Sequence, residues 1–170
     1  MEADAIVVGS NGVFVIETKN YKGQVEGNER SKMWILHKTG REGSKYTKQI
    51  PNPLAQLRKN IFIVSKYLKI KKSPAWVEGC VVFPNEETAF LMAVGNTQKD
   101  IDTFSKMCKK PYMLKSYILD YTPKRKLDSR QIENICNCLS ECLEKPAMTR
   151  NEFEVFVEAI KSESSNRIEK

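Results

Sequence analysis

The sequence predicts an α/β domain built on a central mixed β-sheet flanked by helices, with a helical C-terminal segment. Three observations carry that expectation. Residues 5–20 hold two β-branched runs around Gly-Ser-Asn-Gly, residues 54–68 hold apolar side chains at helical spacing, and residues 76–83 return to a strand pattern after that helix. A strand pattern directly after a helix is what a crossover back to the sheet requires. The 170 residues allow one compact domain with an appendage, divided here into an α/β domain over 1–125 and a helical extension over 126–170.

Taken in order, Ala5-Ile6-Val7-Val8 and Val13-Phe14-Val15-Ile16 read as the strands of a hairpin, with Asn11-Gly12 supplying the positive φ angles of the turn. Alternation puts Val13, Val15, Glu17 and Lys19 on one face of the second strand and Phe14, Ile16 and Thr18 on the other. From residue 21 to 50 glycines interrupt the pattern, and the short Met33-Trp34-Ile35-Leu36 run is read as a third strand pairing with the hairpin. Leu54, Leu57, Ile61, Val64 and Leu68 mark the clearest helix, with Pro53 suited to its first turn and Asn52 to its cap. Residues 76–83 and 89–94 read as strands around the polar Pro84-Asn85-Glu86-Glu87 turn. Thr97 with Asp100 predicts a helix reaching about residue 108 and stopping before Pro111. Asp128 with Gln131 opens another through Ile132, Ile135 and Leu139, and Thr149 with Glu152 a last one. The Phe153, Phe156, Val157 and Ile160 stripe of that last helix is read as core, and residues 162–170 as a fraying tail.

Composition narrows the function classes. With 41% apolar and 29% charged residues the chain is neither disordered nor fibrous. Its longest apolar runs are far shorter than the roughly 20 residues of a membrane-spanning helix. Met-Glu-Ala-Asp at the start lacks the basic and apolar stretches of a secretory signal, so a cytoplasmic location is expected. The net charge of +7 is concentrated: residues 21–75 carry 13 basic and three acidic side chains. Such a field suits a phosphodiester backbone, because neutralising phosphates releases counterions. Lys45, Lys48, Arg58 and Lys59 lie in this region beside Tyr46 and are the expected phosphate contacts. The five cysteines form no Cys-x-x-Cys pair and are read as packing residues, as are Trp34 and Trp76, while His37 is read as a surface residue.

Glu2, Asp4, Glu17 and Lys19 fall on the two strands of one hairpin, and antiparallel pairing brings Asp4 alongside the Glu17–Lys19 stretch. Unpaired charge at the end of apolar strands calls for an ion pair or a ligand. Carboxylate oxygens suit Mg²⁺, which takes one or two of them and leaves its other positions to water and phosphate. A Glu-x-Lys pair is by itself also an ordinary exposed strand pair, and Asn52 with Gln56 is by itself a helix cap plus a surface amide.

The whole run is more specific. An acidic-x-Asp strand, a Gly-x-Asn-Gly turn, Glu17-Thr18-Lys19-Asn20 leading to Gly23, then Asn52-Pro53-Leu54-x-Gln56 opening a helix resembles the nuclease-related domain (NERD) family, within the restriction-endonuclease-like PD-(D/E)XK folds. The resemblance covers about residues 2–95. It implies that Asp4 and Glu17 match the acidic metal ligands, that the Thr18 carbonyl is a further ligand, and that Lys19 matches the catalytic lysine. Gln56 matches the family's glutamine, and Glu2 its acidic residue two before the aspartate. The implied activity is cleavage of DNA with Mg²⁺ or Mn²⁺. The chain departs from the pattern in that Asp4 stands three residues after Met1, where this fold group carries a helix before the hairpin. An uncovered sheet invites association, so a homodimer is expected. A catalytically inactive module that binds nucleic acid or a protein on the same scaffold stays open beside the nuclease reading.

Overall fold

The structure, a computed structural model, describes residues 3–91 and 108–143. Glu2, most of the helix expected over 97–108, the helix expected from 149 and the 162–170 tail lie outside those residues. The chain runs β1 (Ala5–Gly9), β2 (Gly12–Thr18), β3 (Gly23–Glu26), β4 (Met33–Thr39), β5 (Lys45–Pro51), α1 (Pro53–Ile70), β6 (Val77–Val82), β7 (Thr88–Leu91), β8 (Cys108–Lys109), α2 (Pro111–Leu119) and α3 (Ser129–Leu143). This is an α/β architecture. None of the described helices is long and apolar enough to cross a membrane.

The first sheet has the order β1-β2-β6-β8 and is mixed, with β1 antiparallel to β2 while β6 and β8 run parallel. Gly9 pairs with Gly12, so the hairpin turn is Ser10-Asn11, one residue earlier than Asn-Gly chemistry suggested, and of these residues only Gly12 takes a positive φ, +129°. Asn11 has another task. Its Nδ2 donates to the carbonyls of Ile118 at 3.1 Å and Leu119 at 3.0 Å, satisfying acceptors left over at the end of α2.

Both faces of β2 are covered, as its side-chain alternation requires. Val13 and Val15 pack with Leu54, Leu57, Val64 and Leu68 of α1, and Ile135 of α3 joins that cluster. Phe14 and Ile16 pack with Cys80, Val82 and α2, where Tyr117 of the helix and Tyr121 just past its end meet Phe14 edge-on. Each such buried side chain contributes roughly 1.5–3 kcal/mol. Helix α1 lies close on β6 because Gly79 has no Cβ: one would fall 2.4 Å from the Val15 carbonyl oxygen and 2.9 Å from Leu57 Cδ1. Pro53 occupies the first turn of α1, Asn52 caps it, and Asp128 and Gln131 cap α3 reciprocally at 2.8 and 3.1 Å.

Four expectations are corrected. Met33–Thr39 does not pair with the hairpin; it is the second strand of a separate sheet, β5-β4-β3-β7, whose strands β3 to β5 come between β2 and α1 and whose β7 follows β6. Val25, Trp34, Leu36 and Ile50 turn one face of that sheet into the main core. Pro111 does not merely end a preceding segment but opens α2, since proline's fixed φ and missing N–H suit a first helical position as well as a stop. Trp34 is fully buried, but Trp76 is 60% exposed, its indole N–H donating to Glu78 at 2.9 Å. Of the cysteines, Cys80 is buried and Cys136 is exposed, so packing does not describe them all.

The second core cluster sets an alkaline limit on stability. Burial pushes the Cys80 thiol up to about 11, with Lys109 partly opposing it. Burial, then Cys80 and Glu78, push the Tyr117 hydroxyl well above its ordinary value. Both groups hold their protons more tightly in the folded chain; the Cys80 stabilisation is complete below the ordinary thiol value of 9.0 and is lost as pH rises through about 11, and the Tyr117 contribution is lost at higher pH. Urea titrations should show stability falling by about 2 kcal/mol over that window, and falling less in Cys80→Ala.

Candidate functional site

Strand β2 ends its apolar run with a charge. Glu17 shares the α1-facing side with Val13 and Val15, and only 1% of it is exposed. A carboxylate this deep must be compensated. Lys19 Nζ reaches Glu17 Oε1 at 2.5 Å and Gln56 Nε2 donates to the same oxygen at 2.6 Å. Asn60, buried one turn further along α1, approaches Oε2 at 3.5 Å. The pairing of Ala5 with Ile16 sets Asp4 one step beyond the ladder, opposite Glu17, and its Oδ2 accepts the Thr18 backbone N–H at 2.5 Å.

The backbone fixes this geometry. Lys19 N–H donates to the Val82 carbonyl at 2.9 Å, carrying the parallel β2–β6 ladder one residue past Thr18, so the lysine leaves from an anchored strand. Tyr21 packs its ring against Phe83, and the Thr88 hydroxyl bonds to its carbonyl. Burial raises the Tyr21 hydroxyl above its ordinary value, Lys19 opposing and Glu17 adding to the shift. Gln56 reaches Glu17 because α1 starts where Asn52 caps it, which places Gln56 in the first turn.

Asp4, Glu17, Thr18, Lys19 and Gln56 thus meet around the end of β2. The proposed phosphate contacts do not gather there. Lys45 and Lys48 are exposed on β5 of the second sheet. Lys59 is exposed on α1. Arg58 braces the chain between β3 and β4: its Nη1 bonds Glu29 Oε1 at 2.9 Å and its Nη2 the Glu29 carbonyl at 2.7 Å. His37 is half-buried and bonded to Glu26 at 2.8 Å.

Sequence reasoning missed Asn60 and Tyr21. Asn60 follows Gln56 by four residues, the spacing that sets two amides on one helix face, and that was the available signal.

Asp4 and Glu17 are the carboxylates at this place, and among the described residues no group of three or more His, Cys, Asp or Glu is arranged to hold a metal ion. Two carboxylates are nevertheless within the habit of Mg²⁺. Asp4 Oδ2 takes the Thr18 N–H and Glu17 Oε1 takes both strong donors, so the second oxygen of each group carries the lesser load.

No curated protein and no solved structure matches the chain. The model of one family, the nuclease-related domain, matches residues 1–84, which hold the β1–β2 hairpin, the second-sheet strands β3 to β5, α1 and β6. Those residues, which include Asp4, Glu17, Lys19 and Gln56, are similar to the nuclease-related domain (NERD) family.

Proposed function

We propose that the chain hydrolyses phosphodiester bonds in DNA, with Mg²⁺ or Mn²⁺ held by Asp4, Glu17 and the Thr18 carbonyl. One observation carries the reading: a carboxylate 1% exposed, at the end of a core strand, in contact with an ammonium and a helix-borne amide. Burying such an ion costs several kcal/mol, an expense that core packing alone does not explain. The hard oxygens of Asp4 and Glu17 fit a divalent cation that keeps most of its positions for water and phosphate. Such an ion, when bound, supplies charge neutralisation for the phosphate.

The chain's own groups do the rest. Gln56 holds the Glu17 carboxylate in one orientation through its 2.6 Å bond. Lys19, 21% exposed, sits between Glu17 and solvent, where its ammonium offers charge to a phosphate approaching from outside. The basic excess of residues 21–75 supports attraction of the polyanion.

The saturation of Glu17 Oε1 by two donors favours one second reading, a scaffold that binds DNA without cutting it. The assay that decides is degradation of single- and double-stranded DNA with Mg²⁺ or Mn²⁺, beside Lys19→Ala. Cleavage that falls about a hundred-fold in the variant supports hydrolysis. Cleavage equal to the variant's sinks it, and metal-independent binding that survives Lys19→Ala then identifies the binding module.

A further inference from the structure

The second sheet carries a feature the Glu17 site does not use. At its far end the strands β3, β4 and β5 enclose an open cavity of about 370 Å³, lined by Gln24, His37, Lys38, Lys45, Tyr46 and Thr47 among others. That is inside the roughly 300–1,000 Å³ range of small-ligand sites. From this surface we infer that the β4–β5 hairpin holds a single-stranded stretch of nucleic acid, one base stacked on Tyr46 and the neighbouring phosphates on Lys38 and Lys45. The inference rests on the nucleic-acid reading above and adds a substrate class and a second site to it.

Several observations converge on that chemistry. Tyr46 is 51% exposed although it lies in a strand, so an aromatic face is offered to solvent. Register sets Lys38 directly opposite Tyr46, on the same face of the sheet, and Lys45 opposite Thr39 on the other face, so one ammonium group lies beside the ring and a second lies across the outer edge of β5 from it. Strand β5 is the outer strand of its sheet, and its residues 45–49 are all exposed. One wall is fixed in place: His37 Nε2 is bonded to Glu26 Oε2 at 2.8 Å. The floor is tight because Gly23, at φ +118°, lies where a Cβ would fall 2.2 Å from the His37 carbonyl oxygen. A rigid pocket combining an aromatic ring with cations suits a base and its phosphates, since every base has a π-face and every linkage a charge. A duplex hides those faces. The ring therefore selects a strand that is open.

The test is binding of a short labelled oligothymidylate by the full chain in metal-free buffer with chelator, read by fluorescence anisotropy, so that cleavage plays no part. Tyr46→Ala should weaken binding about ten-fold and Tyr46→Trp should keep it, because stacking is lost in one and retained in the other. Lys38→Ala with Lys45→Ala should lower the slope of log Kd against log salt by about 1.4, two contacts at roughly 0.7 each. Binding of a duplex of the same length should not change in Tyr46→Ala. Tyr46→Ala binding the oligonucleotide as tightly as the unaltered chain overturns the inference, and so does an equal loss on the duplex. If the unaltered chain binds the single strand through Tyr46 yet never cleaves DNA, the hydrolytic reading falls and this one stands. If it cleaves duplex DNA but ignores the oligonucleotide, the reverse holds.

Discussion

Glu17→Gln should lose metal-dependent DNA cleavage by about a hundred-fold or more while melting no lower than the unaltered chain. The two effects separate because they have different origins. On the proposed reading, activity depends on a full negative charge at the end of β2, and the amide supplies none. Stability has no such need: the carboxylate is 1% exposed, and neutral groups of similar shape at buried ion-pair positions are often neutral or stabilising, here by up to about 2 kcal/mol. The amide oxygen can still accept from Lys19 and Gln56. Lys19→Ala should lose the same activity with the opposite stability change, because it leaves the Glu17 charge buried with amides alone. The partial exposure of Lys19 to water keeps that cost to about 1–3 kcal/mol. Thermal melts beside the DNA assay check both signs. A Glu17→Gln chain that cuts DNA normally would remove the charge from the mechanism.

The second large effect is expected at Asn52, far from solvent at 2% exposure. Its Oδ1 accepts the Leu54 N–H at 2.9 Å and the Ala55 N–H at 3.4 Å, while its Nδ2 donates to the carbonyls of Asn28, Glu29 and Ser31 at 3.2, 3.1 and 2.7 Å. One amide therefore starts α1 and ties it to the loop between β3 and β4. Asn52→Ala removes a cap worth about 1 kcal/mol and strands buried carbonyls at roughly 1–3 kcal/mol. A loss of about 3 kcal/mol, or about 10 °C in Tm, follows. Asn52→Asp should be equally damaging although aspartate caps helices well, because a carboxylate facing three carbonyls has no proton to give. Denaturation of the two variants checks this, and an Asp variant as stable as the unaltered chain would refute the tie. Cleavage should fall in both, since Gln56 reaches Glu17 only from a correctly started first turn.

What was legible in the sequence was local. The β1–β2 alternation and the spacing of Leu54, Leu57, Val64 and Leu68 are short-range signals, and both elements form where they point. Their shared chemistry was legible too, because Glu17 and Lys19 lie two residues apart on one strand. The second sheet was hidden for a physical reason. Val25 is the one buried side chain of β3, and β5 reads Lys-Tyr-Thr-Lys-Gln-Ile-Pro with Ile50 alone inside. An outer strand with one wet edge needs little hydrophobic pattern of its own. Arg58 misled in another way: a cation in a basic region gives no hint that its partner is Glu29, across a loop whose path only the fold determines. Trp76 stands at the mouth of β6, where strand-like neighbours did not reveal that its ring faces water.

The pairing of β2 bears on how the chain reaches this state. On one side it meets β1 across a two-residue loop; on the other it meets β6, whose Val77 pairs with Val13 only after β3, β4, β5 and α1 have intervened. Non-local closure of that kind is entropically slow, and mean sequence separation between contacting residues governs folding speed. The Glu17 carboxylate must stay hydrated in the unpaired chain, because its helix-borne partners arrive only with α1. Shedding that water therefore has to accompany the docking of α1 on β2, which couples desolvation of this corner to the closing of the core.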